Sequence, residues 1–415
     1  MKILIVTQYF WPENFKINDI VFDLSERGHQ ITVLTGLPNY PEGKVYKSFK
    51  DNPDDFKQYA NAHIIRVPML PRGDSSIQLA LNYFSFALSA TLFGAYRLRK
   101  HDFDVIFVFE PSPVTVGIPA SFIRWIKKAP VVFWVQDLWP ETLQAVGVIQ
   151  SKVIISIIAG LVRYIYRHCD LILAQSKSFI PQIKKYTDNR TKVIYLPNWA
   201  ENIFDLSEVV HAKEVPIQQG SFDVMFAGNI GEAQDFPSIL AAAELIKSYT
   251  NIRWLIVGDG RMADWVANEI EIRNLQHSVL MLGRYSGDRM PSFFKHAKVL
   301  LVSLKDELIF SMTIPGKIQS YLASGRPVLT MLNGEGASII IESGSGIACP
   351  AGDAQALADS VLKLSIMSAC ELEEMGRKGL EYSNREFNRS SLISTLEQLL
   401  EQTKITTSSR RKKGL

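Results

Sequence analysis

Twice along the chain, short apolar runs of strand length alternate with amphipathic stretches of helical length, and a polar segment separates the two rounds. That alternation is the strongest constraint on the fold. The first round places strands at Lys2–Thr7, Gln30–Thr35, His63–Val67, Val105–Phe109, Val131–Val135, Leu171–Gln175 and Lys192–Leu196. Most are continuous in Val, Ile, Leu and Phe, the pattern of parallel strands covered on both faces. "SERGHQITV" ends a helix on a glycine and enters the next strand. The second round places strands at Asp223–Ala227, Ile252–Val257, Val279–Leu282, Val299–Val302 and Pro327–Thr330, with further helices near Asp353–Ile366 and Leu372–Tyr382.

The expected fold class is α/β, with two tandem Rossmann-like, doubly wound domains facing a central cleft. The first domain takes residues 1–200, a linker punctuated by Pro216 takes 201–220, and the second domain takes 221–385. An amphipathic helix is expected over 386–403, and the basic tail over 404–415 reads as disordered. A chain of 415 residues is too long for one ordinary core. A net charge of +3 gives no argument for nucleic acid. Cys169, Cys349 and Cys370 fit neither a disulfide framework nor a zinc spacing, which suits a reducing cytoplasm. The N-terminus reads as a strand and not as a signal peptide.

From Ile77 to Tyr96 the chain carries no charge and is long enough to span a bilayer. A span there would cut the first sheet in two, so a helix of the domain is expected instead. "RLRKH" follows at Arg97, "WIKK" begins at Trp125, and "IISIIAGLVRYIYRH" begins at Ile154. Apolar and aromatic residues beside lysine and arginine suit an anionic membrane surface, over residues 77–101 and 153–168.

Candidate chemistry lies in the loops that follow strands. The first reads Tyr9, Phe10, Trp11, Pro12, Glu13, Asn14, Phe15, Lys16, with no glycine with which to close on a phosphate. In the second half, Gly228, Asn229 and Gly231 follow one strand, Gly258, Gly260 and Arg261 the next, and Gly283 and Arg284 a third. "SMTIPGKIQSYLASGRPV" then offers Ser311 and Thr313 as capping hydroxyls and Pro315 in a first helical turn. Gly316 permits close approach, and Lys317 is a cation beside the helix N–H groups. A helix N-terminus favours an adjacent anion by about 0.3–1 kcal/mol. In "VQDLWPET", Gln136, Asp137 and Glu141 follow a strand, and a carboxylate there can hold a sugar hydroxyl or cap a helix.

"YFWPE", "ERGHQITVLTGLPNYP", "QDLWPET", "AGNIGEAQ", "LIVGDG" and "PGKIQSYLASGRPV", in this order, resemble the retaining, nucleotide-sugar-dependent glycosyltransferases of family 4. The likeness is to the bacterial N-acetyl-L-fucosaminyltransferase-like subgroup of O-antigen and capsule synthesis. It implies a GT-B fold with acceptor in the first domain, donor in the second, and a last helix that crosses back to the first. It implies an enzyme with no metal and no cofactor beyond a nucleotide-sugar substrate, expected to be UDP-linked. Its other expected partners are a polyprenyl-diphosphate-linked acceptor and the inner face of the cytoplasmic membrane. Donor contacts fall on Gly228, Asn229, Gly231, Gln234, Gly258, Arg261, Gly283, Arg284, Thr313, Pro315, Gly316, Lys317 and Ser320. Acceptor contacts fall on Tyr9, Phe10, Trp11, Asn14, Lys16, Asn18 and Gln136. Glu13, Asp137 and Lys317 are the candidate catalytic residues.

The chain departs from the family pattern. A glutamate pair common in the family is replaced by Met312 and Ser320, and its arginine and lysine are replaced near Asn229 and Gln234. Gln136 stands where a histidine is frequent. Two rival readings share the architecture: a nucleotide-sugar 2-epimerase, and a non-catalytic membrane-anchoring partner of another transferase. The aromatic first loop and the apolar–basic helices argue against the first, and the glycine loops with the "PGK" helix start argue against the second.

Overall fold

The computed structural model describes residues 1–73, 75–145, 149–188, 191–200 and 209–412. Its strands are β1 Lys2–Val6, β2 Gln30–Thr35, β3 Gln58–Tyr59, β4 Ala62–Arg66, β5 Val105–Glu110, β6 Val131–Val135, β7 Leu171–Ala174 and β8 Lys192–Tyr195 in the first half. The second half has β9 Phe222–Ala227, β10 Ile252–Val257, β11 Val279–Gly283, β12 Val299–Ser303, β13 Val328–Met331 and β14 Gly346–Cys349. Two compact units result, one from Met1–Leu196 with Ser390–Leu415 and one from Pro197–Arg389.

The first sheet has the order β3-β4-β2-β1-β5-β6-β7-β8 and the second β11-β10-β9-β12-β13-β14. All pairings are parallel except β3 with β4. β5, β6, β9 and β10 are buried along their whole length, because helices cover both faces. In each sheet the strand order reverses beside the first strand: between β1 and β5, and between β9 and β12. Ligands of open α/β sheets bind at such points, outside the strands' carboxyl ends. Gly28, expected to stop the first helix, has φ +84 and does so after Lys16–Glu26.

The apolar stretch forms one helical run, Ser76–Arg97, of 22 residues, long and apolar enough to cross a membrane. It lies between β4 and β5 in sequence, and those strands belong to one continuous sheet. Phe86, Ala87 and Ala90 are buried, and Gly94 approaches Leu34 of β2 so closely that a Cβ there would lie 2.9 Å from it. The run is therefore a helix laid on the sheet.

Two expectations need correction. The tail after 403 is not disordered: the last helix runs over Arg389–Lys412. Ile393, Leu396, Leu400 and Thr403 bury one side of it on the first unit, and Glu397 meets Arg27 and His29 at 2.7 Å each while Lys404 meets Asp104 at 3.1 Å. Thr403 and Thr406 return their hydroxyls to backbone carbonyls four residues earlier, which removes the polarity that made the segment read as coil. The segment 209–220 is not a free linker either. His296 Nε2 bonds Ala212 O at 2.9 Å, Arg253 donates to Pro216 O at 2.7 Å, and Ala212 and Val215 are buried. Residues 201–208 of the expected linker and 413–415 of the tail lie outside the described residues. The short edge strands β3 and β14 carry too little apolar pattern to be read from sequence.

Candidate functional site

In the second unit the three glycine loops meet at the carboxyl ends of β9, β10 and β11. Gly228 N–H donates to Val257 O at 2.8 Å, Gly258 N–H to Gly283 O at 2.8 Å, and Ile230 N–H to Asp259 O at 2.9 Å. Gly258 has φ +149, and a Cβ there would lie 1.8 Å from Gly228 O. A Cβ on Gly260 would lie 2.7 Å from Asn229 Oδ1, and one on Gly231 would lie 2.6 Å from Asn229 Nδ2. Gly258 and Gly260 are therefore required by close approach of one loop to another, whereas Gly231 faces only the Asn229 side chain of its own loop.

Lys317 enters this layer from the helix Gly316–Ala323. Its Nζ lies 3.5 Å from the centroid of the Phe226 ring and donates to Gln234 Oε1 at 3.1 Å. A Cβ on Gly228 would lie 2.6 Å from Lys317 Cε, so Gly228 makes room for the lysine stem. Ser303, at the end of β12, donates to Gln234 O at 2.6 Å. The lysine thus stands at the switch point between β9 and β12, in surroundings that disfavour charge, and desolvation lowers its pKa to about 7. The helix beside it starts at Gly316, whose first N–H groups have no partner within the helix.

The other expected donor residues divide. Pro315 is the N-cap, not a first-turn residue, and no side chain caps this helix. Ser311 and Thr313 donate their hydroxyls to Leu308 O at 2.8 Å and Ile309 O at 2.9 Å, so neither serves as a cap, and Ser320, within the helix, donates to Gly316 O at 3.4 Å. Arg261 and Arg284 are exposed beside their loops.

In the first unit the aromatic loop turns inward. Tyr9 and Phe10 are buried, and Tyr9 stacks on Phe15 at 5.5 Å and donates its hydroxyl to Asn82 Oδ1 at 3.0 Å. Trp11 packs on Phe56 and Tyr59. Expected as a sugar or lipid contact surface, Tyr9 and Phe10 are core because the domain supplies aromatic partners of its own. Glu13 is also not positioned for chemistry. Its Oε1 accepts from Asn39 and Tyr40 N–H, both at 2.7 Å, and its Oε2 from Phe10 N–H at 3.1 Å. Asn18 accepts from Trp11 N–H at 3.1 Å and donates to Glu13 O at 2.7 Å. Both side chains hold the loop closed. Asn14 is exposed and Lys16 is partly buried.

Asp137 and Gln136 follow β6, and both backbone N–H groups face Glu110 Oε2, at 3.5 and 3.4 Å. Burial raises the Asp137 carboxyl to about 7. Glu110, fully buried at the end of β5, was missed by sequence reading. The available signal was a carboxylate closing an otherwise apolar run, "VIFVFE".

Two Rossmann-like domains with ligand edges of this kind define the GT-B class. Residues 17–199 match the family described as "Glycosyl transferase 4-like domain", and residues 221–366 match "Glycosyl transferases group 1". The chain is a group 1 glycosyltransferase with a 4-like N-terminal domain. It is 27% identical to "Probable glycosyltransferase WbjE" of Pseudomonas aeruginosa over 76% of this chain and 77% of that one. It is 23% identical to "Putative colanic acid biosynthesis glycosyl transferase WcaI" of Escherichia coli K12, over 78% and 82% of the two chains. The structure of HepE from Anabaena in complex with UDP and glucose superposes with a TM-score of 0.66 at 17% identity, covering 97% of this chain and 99% of that one.

Proposed function

We propose that the protein is a retaining glycosyltransferase that moves a sugar from a UDP-linked donor onto a polyprenyl-diphosphate-linked saccharide in O-antigen or other surface-polysaccharide synthesis. The observation that carries the donor assignment is Lys317, desolvated against Phe226 among the glycine loops at the switch point of the second sheet. A diphosphate supplies the negative charge that such a lysine lacks, and glycine N–H groups with the helix start complete the cradle. The HepE structure with UDP and the polysaccharide role printed for WcaI support the same reading. N-acetyl-L-fucosamine is proposed as the donor sugar from the family resemblance alone, and other deoxy- or acetamido-sugars fit the same site chemistry.

As the diphosphate leaves, positive charge grows on the sugar and negative charge on the leaving oxygen. Preorganised donors at that oxygen lower the barrier, and Lys317 is placed to be one. Arg261 and Arg284 are the further cations of this edge, so the reading needs no metal. Asp137 at the first sheet is the group that orients the acceptor hydroxyl. Transfer of radiolabel from UDP-N-acetyl-L-fucosamine into an extracted polyprenyl-diphosphate-linked saccharide tests this directly. Label that stays water-soluble with every UDP-acetamidosugar contradicts it.

The acceptor's lipid implies a membrane surface, and the first unit offers one. The adjacent helices Ser76–Ser89, Gly117–Lys127 and Lys152–Arg167 expose Leu81, Phe84, Leu88, Trp125, Val153 and Ile157. Arg97, Lys127, Lys128 and Arg163 supply positive charge on or beside the same helices. This is the composition of a monotopic contact with anionic lipid at the inner face of the cytoplasmic membrane. The chain is expected to cosediment with vesicles containing phosphatidylglycerol and not with neutral ones. Replacing Phe84 and Trp125 with serine is expected to weaken binding about tenfold or more, from the apolar area withdrawn from lipid. Equal binding to neutral vesicles, or no effect of the double substitution, counts against this surface.

A further inference from the structure

The amino edge of the second sheet, opposite the glycine loops, opens into a cavity of about 720 Å³ lined wholly by the second unit. Residues just before β9, β10 and β12 line it, with the segment 211–221 and the turn between the helices Ala354–Ser365 and Ala369–Glu386. Small-molecule sites occupy about 300–1,000 Å³. The charge of this cavity is one-sided. Lys295, His296 and Lys298 stand just before β12, and the ring of His211 meets that of His296 edge to face, with centroids 4.5 Å apart. Arg326, just before β13, donates to Lys295 O at 2.9 Å, and its Nε is buried without a partner. Burial first, and then His296, Lys295 and Arg326, push the His211 imidazole below its usual range, so these groups stand within reach of one another.

The carboxylates nearby do not balance these cations. Asp223, the one carboxylate of the lining, is taken by Arg253, whose Nε and a terminal nitrogen donate to its two oxygens at 2.8 and 2.7 Å. Glu371 accepts from the N–H and the hydroxyl of Ser368, both at 2.8 Å, within its own helix start. Exposed Glu373 acts on Arg326 alone of the group. Lys295 Nζ reaches only a carbonyl, Val209 O at 2.7 Å, and exposed Lys298 pairs with no carboxylate among the described residues. We propose that this cavity is a second anion site, which takes a phosphate-bearing small molecule with its phosphate toward Lys295, Lys298 and Arg326. Pro216, Ile217, Met367 and Leu372 offer an apolar wall to the rest of that molecule. Cations held partly out of water without counter-charge raise the free energy of the empty site, and a bound anion relieves it. A cleft lined by one sign of charge also concentrates the opposite ion. Phosphate suits the set better than a single carboxylate, because its oxygens reach several ammonium and guanidinium donors at once. The site does not depend on the donor assignment, since the donor loops stand at the other edge of the same sheet.

The test is calorimetric titration of inorganic pyrophosphate into the full chain carrying Lys317→Met, which takes the lysine of the glycine loops out of the measurement. That chain is expected still to bind pyrophosphate. Adding Lys298→Glu is expected to weaken binding by about tenfold or more, because a like charge then faces the anion. Lys298→Gln, which removes the charge without reversing it, is expected to give a smaller loss in the same direction. Both changes fall on an exposed side chain, and normal thermal unfolding checks that the fold is kept. Lys50→Glu, an equal change of charge on the first unit, is expected to leave binding as it was. No pyrophosphate binding to the Lys317→Met chain, equal binding with and without Lys298→Glu, or an equal loss in Lys50→Glu each overturns the site. In the chain that keeps Lys317, Lys298→Glu is expected to leave UDP affinity unchanged. A loss of UDP affinity as deep as that of pyrophosphate would merge the two edges into one site and overturn the proposal as well. If UDP does not bind at all, the donor reading fails, while the pyrophosphate comparison still decides this cavity.

Discussion

Replacing Lys317 with methionine is expected to raise the melting temperature of the ligand-free protein and to abolish sugar transfer. The two effects share one cause. An unfolded lysine titrates near about 10.4, and Lys317 in the fold titrates at about 7. The folded state therefore binds fewer protons than the unfolded state between those values. Stability rises with pH through that window and is lost as pH falls toward 7. Methionine keeps the length and apolar stem beneath Gly228 while removing the charge. Exchanging a buried ionisable group for a packed apolar one is commonly worth about 1–4 kcal/mol, which is several degrees for a domain of this size, at about 2–4 °C per kcal/mol. Turnover is expected to fall by about 10²-fold or more, as when a donor to a developing anion is removed. Thermal shift at pH 7 and an initial-rate assay on the same preparation check both halves. A variant that melts lower and turns over normally contradicts the placement.

Gly258→Ala is expected to damage folding and donor binding together. The added Cβ would stand 1.8 Å from Gly228 O, at φ +149, where alanine is strained even in open space. Backbone faces the new atom, so no side chain can swing aside, and the first two glycine loops must separate. Strain of this kind costs about 1–3 kcal/mol before the lost loop hydrogen bonds are counted. Chemical denaturation is expected to show a lower midpoint, and UDP is expected to bind weakly even at temperatures where the variant is folded. Gly287→Ala is the control, since nothing lies within 4 Å of its added Cβ. Equal losses in both variants would remove the loop contact as the cause.

The fold was legible because its signals are local and redundant. β5, β6, β9 and β10 are apolar but for Glu110, Asp223 and Arg253, and that pattern survives without any knowledge of the neighbours. The glycine loops were legible for the same reason, as glycines recur after successive strands. What sequence could not weigh was competition between ligands and the protein itself. Tyr9, Phe10, Glu13 and Asn18 have the chemistry of a sugar site, but Asn82, Phe15, Tyr40 and the backbone of Asn39 claim them. Ser311 and Thr313 carry capping hydroxyls but return them to Leu308 and Ile309 within their own turn. Glu110 failed in the opposite direction: one carboxylate at the end of a buried strand looks like a boundary until its unmatched oxygen is seen.

Calorimetric titration of UDP into the full chain at pH 7 and pH 8.5, with and without Lys317→Met, tests the central claim most directly. A diphosphate beside Lys317 returns its pKa toward the ordinary lysine range, so binding takes up a proton above pH 7. Affinity is then expected to fall with rising pH, by up to about tenfold per unit, and the dependence is expected to vanish with the lysine, along with most of the affinity. UDP binding that is equal at both pH values and unchanged in Lys317→Met, or no UDP binding at all, would contradict a donor site built around Lys317.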